Sequence, residues 1–321
     1  QAITFDNTDT SMQPNFVWIK ERDNSANHQL YDATRGATYR IYPDHNTYQD
    51  QQTEGVTSFN SNGFTVGSDG STNGNTDEYV AWCLSGGTTA IPSGSTSDPG
   101  AVNFSATSGF GIYKITAPAS ADYVLKHGLG TTPDFIWVKD IEATQKHMIW
   151  SDRFSNLTND YFQLNSNAAK ATYSTCWGTM NTTDATIATG GTLGANNDHV
   201  IYVFSNRQGF LKHGKYVGNA NDNGPFIWTG FRPAWVMVKG DRADNWQIMD
   251  NKRNGYNVIS PRLEASTNAS EYTNIDNCDF LSNGFKIRDA DSHMNYAEDY
   301  YYLAFAEAPF CNSSGIPVNA R

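Results

Sequence analysis

One pattern occurs three times along this chain. It reads Pro14-Asn15-Phe16-Val17-Trp18-Ile19-Lys20, then Pro133-Asp134-Phe135-Ile136-Trp137-Val138-Lys139, then Pro233-Ala234-Trp235-Val236-Met237-Val238-Lys239. Each copy opens on Pro, runs through aromatic and β-branched residues, and ends in Lys. Such residues fit the pleated, half-buried surface of a strand. Pro is tolerated at a strand's first position, where its missing N–H costs least. A polar stretch follows, then a second short apolar run: His28 to Asp32, His147 to Ser151 and Trp246 to Asp250. Just beyond it stands a basic residue, Arg35, Arg153 or Arg253. Strand, polar turn and strand spell a hairpin.

The far end of each copy recurs as well. Phe59-Asn60-Ser61-Asn62-Gly63-Phe64 in copy one matches Phe280-Leu281-Ser282-Asn283-Gly284-Phe285 in copy three. Asn-Gly between apolar residues is a strong hairpin signal, because both central residues of the favoured turn need positive φ. Asn62-Gly63 and Asn283-Gly284 are therefore expected at tight turns. Copy two keeps a reduced form at Thr186-Ile187-Ala188-Thr189-Gly190. A closing strand ends each copy, at Tyr79 to Leu84, Val200 to Phe204 and Tyr301 to Phe305. The copies span residues 1–100, 101–208 and 209–321, divided at the Gly/Ser/Thr/Pro loop Ser85 to Gly94 and near Ser205 to Gln208. Such a unit is too long for a propeller blade and suits a small antiparallel β-sandwich. The expected fold is all-β: three related antiparallel sandwich-like repeats with little helix. Arg262 to Ser266 and Asn167 to Lys170 are the helix-compatible stretches, and both are too short to be stable alone.

Composition agrees. Charged residues are only 17% of the 321 and aromatics 13%, a balance that favours strands and turns over helix or coiled coil. The 17 Tyr, 17 Phe and 8 Trp offer ample surface to bury, which argues against disorder. A net charge of −11 with no run of Lys or Arg leaves no basic face for nucleic acid. Apolar runs stop at four or five residues, as at Phe135 to Val138, far short of a membrane span. The chain begins at Gln1 rather than Met, so the expectation is an upstream piece, either cleaved or outside this numbering.

Candidate chemistry is sparse. Cys83, Cys176, Cys278 and Cys311 show no CxxC spacing, and Cys83 reads as a free thiol in a buried strand. Asp77 with Glu78, Asp289 with Asp291, and Glu298 with Asp299 are acid pairs that could serve a glycosidase. All lie in polar stretches where solvated turn acids are the simpler reading, because burial is needed to raise an acid's pKa. The seven His show neither HxxxH nor HxH spacing, so packing is favoured over metal ligation. Asn219 to Gly224 is oxygen-rich but lacks the acid that ends a calcium loop, and reads as Asx turns. No GxSxG elbow, Walker loop or dinucleotide fingerprint occurs. No catalytic residue, cofactor or metal is assigned. Trp18, Trp137 and Trp235 are the repeat-strand aromatics, expected in the core of each repeat. Tyr300-Tyr301-Tyr302 must divide between two strand faces, so at least one should meet solvent, a neighbouring copy or a partner subunit.

Copy three carries the most specific blocks: Gly214-Lys215-Tyr216-Val217-Gly218-Asn219, Thr229 to Lys239, Asp279 to Lys286, and Leu303-Ala304-Phe305-Ala306-Glu307-Ala308-Pro309-Phe310. Copy one adds Phe16 to Lys20 with His28, Leu30-Tyr31-Asp32 and Arg35-Gly36, and Tyr79 to Cys83. Copy two adds His127-Gly128-Leu129-Gly130 before Pro133. Together they resemble repeat-bearing structural or fibre-like surface proteins of tailed bacteriophages, frequent in phages of marine bacteria and cyanobacteria. The resemblance covers nearly the whole chain. It implies a structural or adsorption role on the virion surface, in a tail fibre, head fibre or capsid decoration, and it supplies no catalytic residues. Expected partners are other virion proteins and host surface glycans. The alternatives are a secreted lectin-like carbohydrate-binding module and a polysaccharide-degrading enzyme. A homo-oligomer is also expected, because thin cores cannot hold all the aromatics. The preference for a trimer comes from the resemblance and from phage geometry.

Overall fold

A computed structural model describes residues 1–5, 11–87, 90–97, 99–273, 276–290 and 292–307. Strands make up 43% of the chain and helix 2%, so the protein is all-β, built of antiparallel sheets. Each copy contributes one large sheet and one three-stranded sheet.

The centre of each large sheet is the same three strands. The lead strands are Phe16–Glu21, Phe135–Asp140 and Pro233–Gly240. Each is flanked by a return strand, Gln29–Asp32, His147–Ser151 or Gln247–Asp250, and by a closing strand, Tyr79–Leu84, Asp198–Phe204 or Asp299–Ala306. Register agrees across copies: Trp18 lies opposite Trp82, Trp137 opposite Tyr202, and Met237 opposite Leu303. Beyond this shared centre the copies differ. Copy one extends past its return strand by Tyr39–Ile41 and Asp50–Gln51. Copy two extends past its closing strand by Phe110–Thr116 and Ala101–Ser105 and past its return strand by Asp160–Gln163 and Ala171–Thr172, which gives a seven-stranded sheet. Copy three adds Leu211–Val217 beside its closing strand.

The small sheets supply the second layer. They comprise Ala2–Thr4, Gly63–Val66 and Val56–Asn60 in copy one; Tyr123–Lys126, Asp184–Ile187 and Trp177–Met180 in copy two; and Phe226–Trp228, Gly284–Ile287 and Cys278–Leu281 in copy three. Val17, Ile19, Tyr31, Val56 and Phe64 fill the space between layers in copy one, and Val236, Val238, Phe280, Phe285 and Tyr302 do so in copy three.

The Asn-Gly turns form, but the glycines work differently from the expectation. Asn60 pairs with Gly63 and Leu281 with Gly284, so Ser61-Asn62 and Ser282-Asn283 are the central turn residues and each Gly opens the next strand. Gly63 has φ +128°, whereas Gly284 and both Asn have no positive φ. What the two glycines share is crowding. A Cβ on Gly63 would stand 2.0 Å from the Ile3 carbonyl oxygen, and one on Gly284 would stand 2.1 Å from that of Ile227. A third strand passes too close for any side chain. Gly284→Val is expected to cost about 1–3 kcal/mol through this overpacking; a melting temperature equal to that of the parent protein would refute the crowding. Copy two makes its equivalent turn at Asn181 to Thr183, where Asn181 N–H donates to the Asp184 carbonyl. Thr186 and Ile187 therefore lie within a strand rather than at the turn, because Ala185 already pairs with Met180.

Neither helix-compatible stretch is helical. Leu263–Glu264 is a strand on the edge of copy three's large sheet, where tertiary pairing overrides local preference. One-turn helices occur instead at Gly70–Asn73 and Ser292–Asn295. Cys83 is free and half-buried, Cys176 and Cys278 are free and buried, and Cys311 lies outside the described residues.

Candidate functional site

Successive side chains of a strand point to opposite faces. On each lead strand one face serves the sandwich, and the other carries Phe16, Trp18 and Lys20, or Phe135, Trp137 and Lys139, or Trp235, Met237 and Lys239. All nine are buried. These second faces meet one another. Trp18 lies 5.7 Å from Trp137 between copies one and two, Trp82 lies 6.3 Å from Trp235 between copies one and three, and Phe204 lies 6.2 Å from Phe305 between copies two and three. One apolar cluster therefore includes residues of all three copies. The sequence-predicted aromatics Trp18, Trp137 and Trp235 come together here. Trp235, however, stands level with Phe16 and Phe135, because Lys239 aligns with Lys20 and Lys139. Met237 takes the tryptophan position in copy three.

The copies dock in a ring with one sense of rotation. Trp18 Nε1 donates to His28 Nδ1 at 2.8 Å, and His28 Nε2 meets the Glu264 carbonyl of copy three at 3.1 Å. Trp137 Nε1 donates to His147 Nδ1 at 3.0 Å, and His147 Nε2 meets the His45 carbonyl of copy one at 3.0 Å. Trp246 holds the equivalent position in copy three and donates its own Nε1 to the Gln163 carbonyl of copy two at 2.8 Å. A second ring runs the same way. Trp82 Nε1 donates to Asp250 of copy three at 3.0 Å, and the Tyr202 hydroxyl donates to Asp32 of copy one at 2.7 Å. In copy three Leu303 cannot donate, and His213 on the adjoining strand reaches Ser151 of copy two at 2.7 Å instead. Tyr301 packs on Phe154 and Phe162 of copy two at 5.4 and 5.2 Å. Of the three consecutive tyrosines, it is the one that meets a neighbouring copy.

Burial governs the electrostatics of this ring. Desolvation takes His28 and His213 down to about 3 and holds His147 well below its ordinary value, so these rings are neutral. The three lead-strand lysines donate to backbone carbonyls of the turns that follow: Lys20 to Glu21 and Asn24, Lys139 to Gln145, and Lys239 to Gly240 and Arg242. Lys139 also reaches the Asn46 carbonyl of copy one at 3.1 Å. Burial lowers Lys139 and Lys239 to about 8 despite nearby acids. Asp32–Arg35 and Asp250–Arg253 are equivalent buried ion pairs at 2.6 and 2.7 Å. Copy two has Ser151 there, and its half-exposed Arg153 turns to Asp152 at 3.2 Å. Burial raises Glu271, yet Arg22 of copy one and Arg253 of copy three together hold it below its ordinary value and bind the two copies.

A cavity of ≈ 450 Å³ lies where the three faces meet. Its wall includes Phe16, Trp18 and Trp82 of copy one, Phe135, Trp137 and Phe204 of copy two, and Trp235, Met237, Leu303 and Phe305 of copy three. Exposed Ala81 and Lys252 also line it. Trp235 Nε1 and Ser108 Oγ, in residues that line it, are themselves buried away from the cavity with no hydrogen-bond partner among the described residues.

The other sequence candidates stay apart from this cavity. Glu78 pairs with Arg22, Asp299 with Lys215, and Asp77 accepts from Tyr79; Asp291 lies outside the described residues. Asn219 and Asn221 form successive Asx turns onto the N–H groups of Asn221 and Asn223. Among the described residues no group of three or more His, Cys, Asp or Glu could hold a metal, and no helix is long and apolar enough to cross a membrane. Sequence reasoning missed the role of the histidines. The available signal was the recurrence of Trp and His ten residues apart, at Trp18 with His28 and Trp137 with His147.

Fold and site together define a single-chain, three-copy antiparallel β protein closed around an aromatic axis. The chain belongs to the DUF7483 family, described as a domain of unknown function, whose family model matches residues 3–309. Comparison with curated proteins and with solved structures gives no match.

Proposed function

We propose that this protein is a structural component of a tailed-bacteriophage virion surface. It forms or decorates an appendage, whether tail fibre, head fibre or capsid decoration, and it is not an enzyme. The observation that carries this reading is the repeat itself. The blocks that resemble phage surface proteins are the same ones that build the lead and closing strands and lock the copies into one body. A mechanical role is served by a unit whose parts share a core. The test is antibody labelling of purified virions of the source phage. Label on an appendage or on the shell is expected; absence of the chain from virions, with the chain present in the infected-cell lysate, would overturn the reading.

Host contact by glycan stacking is supported at one place. Trp228 is 61% exposed and Phe226 45% exposed, and they lie two residues apart on one face of an edge strand. Aromatic faces of this kind stack on sugar rings. Trp228→Ser should abolish a glycan-array signal and leave the melting temperature unchanged; an array signal unaffected by the substitution would exclude this strand. Glycan binding by a chain absent from virions would favour the secreted lectin-like alternative.

Self-association, with a trimer favoured, belongs to the same reading. The rings left over for interfaces are few, because the lead and closing strands spend theirs between copies. Light scattering should give a mass above 35.5 kDa; a concentration-independent mass of 35.5 kDa would remove the oligomer.

A further inference from the structure

We propose that the outer edge of copy one's closing strand, Tyr79–Leu84, takes one further antiparallel strand from polypeptide lying ahead of Gln1. The other two copies carry the equivalent strand among the described residues. Phe110–Thr116 pairs with Asp198–Phe204 in copy two, and Leu211–Val217 pairs with Asp299–Ala306 in copy three. Among the described residues Tyr79–Leu84 is the last strand of its sheet. Burial follows this difference. Every residue from Val200 to Phe204 and from Tyr300 to Ala304 is buried, whereas none from Tyr79 to Leu84 is. Ala81 is exposed, while its counterparts by register, Ile201 and Tyr302, are buried.

Backbone direction agrees. In an antiparallel strand the N–H and C=O of one residue point to the same side, and the side alternates along the strand. The Glu78 and Leu84 carbonyls accept from Arg22 and Asn15 at the two ends of the lead strand, so Ala81 and Cys83 turn their backbone groups outward. Copies two and three use the outward groups: Ser205 N–H donates to the Gly109 carbonyl, and Ala306 N–H donates to the Phe210 carbonyl. An uncovered edge of this kind is a template for another strand.

The axial cavity lies along the same edge, lined by Val80 to Ser85 and by Trp235 of copy three. The other copies show what fills such a place. Phe110 of copy two packs on Phe16 of copy one at 5.9 Å, and His213 of copy three packs on Phe135 of copy two at 5.4 Å. Trp235 stands level with Phe16 and Phe135, so it is the ring that copy one's strand meets in the same rotation. The occupant is therefore an extended segment with a ring or aliphatic side chain opposite Leu84 or Trp82. Connectivity sets its source. Residues 117–122 join Phe110–Thr116 to the small-sheet strand Tyr123–Lys126, and residues 218–225 join Leu211–Val217 to Phe226–Trp228. The equivalent small-sheet strand of copy one is Ala2–Thr4, which places the added strand directly ahead of it.

Hydrogen exchange at single-amide resolution tests this on the full gene product and on the chain from Gln1 to Arg321. The Ala81 and Cys83 amides should exchange about fivefold slower or more in the full product, the worth of one hydrogen bond. Equally fast exchange in both would overturn the proposal. Slow exchange already in the chain from Gln1 would also overturn it, since another segment would then hold the edge. Ala81→Pro removes an outward N–H where an edge strand tolerates Pro, and in the full product it should return Cys83 to fast exchange. Cys83 still slow in that variant would mean a cover other than a paired strand and would refute the site.

Discussion

Asp32→Ala is expected to destabilise the protein by about 3–5 kcal/mol, the usual cost of breaking a buried ion pair from one side. Both side chains of the Asp32–Arg35 pair are fully buried. Asp32 accepts from Arg35 Nε at 2.6 Å, from the Arg35 backbone N–H at 2.9 Å and from the Tyr202 hydroxyl of copy two at 2.7 Å. The Ala variant leaves a guanidinium in the interior, still bonded to the Leu30 and Tyr39 carbonyls but without its counter-charge. It also leaves a tyrosine hydroxyl without an acceptor at the junction between copies. The double variant Asp32→Ala/Arg35→Met should recover much of the loss, since an apolar replacement of both partners removes the stranded charge. Urea unfolding followed by circular dichroism measures both. A loss below about 1 kcal/mol for Asp32→Ala would mean that Arg35 reaches solvent.

The second large effect is acid destabilisation. Burial lowers His28, His127, His147, His199 and His213. In the unfolded chain these rings take up protons below about pH 6.5, while in the folded chain they take them up only at lower pH. The unfolded state then binds more protons, so stability falls as pH drops, by up to about 1.4 kcal/mol per pH unit for each histidine. Four carboxyls oppose this. Burial lifts Asp44 to about 7; burial and neighbouring Asp134 lift Asp152 to about 7; and burial raises Asp134 and Glu298. Asp44 and Asp152, protonated in the fold and ionised in the unfolded chain between about pH 4 and 7, add stability as pH falls through that window, and Asp134 and Glu298 act in the same direction. Five histidines, three of them held far below their ordinary value, outweigh four carboxyls, two of them lifted to about 7, so the net slope is downward below about pH 6.5. Below about pH 4 the carboxyls no longer help, and Asp250 and Glu271, held low by their arginines, add to the loss. The expected melting curve therefore falls gently from pH 6.5 and steeply below pH 4. A melting temperature that rises on acidification from pH 7 to 5 would show that the histidines are accessible to protons.

The hairpins were legible because their signals are local. A Pro, an aromatic and β-branched run and a terminal Lys specify the lead strand; the polar stretch and the next apolar run specify its partner. The meeting of the copies was not legible, for a physical reason. All six residues of Phe16–Glu21 and of Phe135–Asp140 are buried. With both faces covered, alternation between polar and apolar residues vanishes, and the sequence cannot say which face turns to the sandwich and which to a neighbour. Lys20, Lys139 and Lys239 hid the same information, because a Lys at a strand end ordinarily reads as solvated, whereas each is buried and donates to backbone carbonyls. Trp18, Trp137 and Trp235 were legible together as repeat-strand aromatics, and the Pro-to-Lys alignment already set Trp235 two residues earlier, level with Phe16 and Phe135. Asn62-Gly63 and Asn283-Gly284 were found as turns, yet the need for glycine came from a third strand far away in sequence.

Copies joined by one aromatic core and two rings of hydrogen bonds should lose structure together. Differential scanning calorimetry of the full chain measures this directly. One transition is expected, with calorimetric and van't Hoff enthalpies in agreement, as for a single cooperative unit. Two or three resolved transitions, each with the enthalpy of a separate copy, would contradict a shared core.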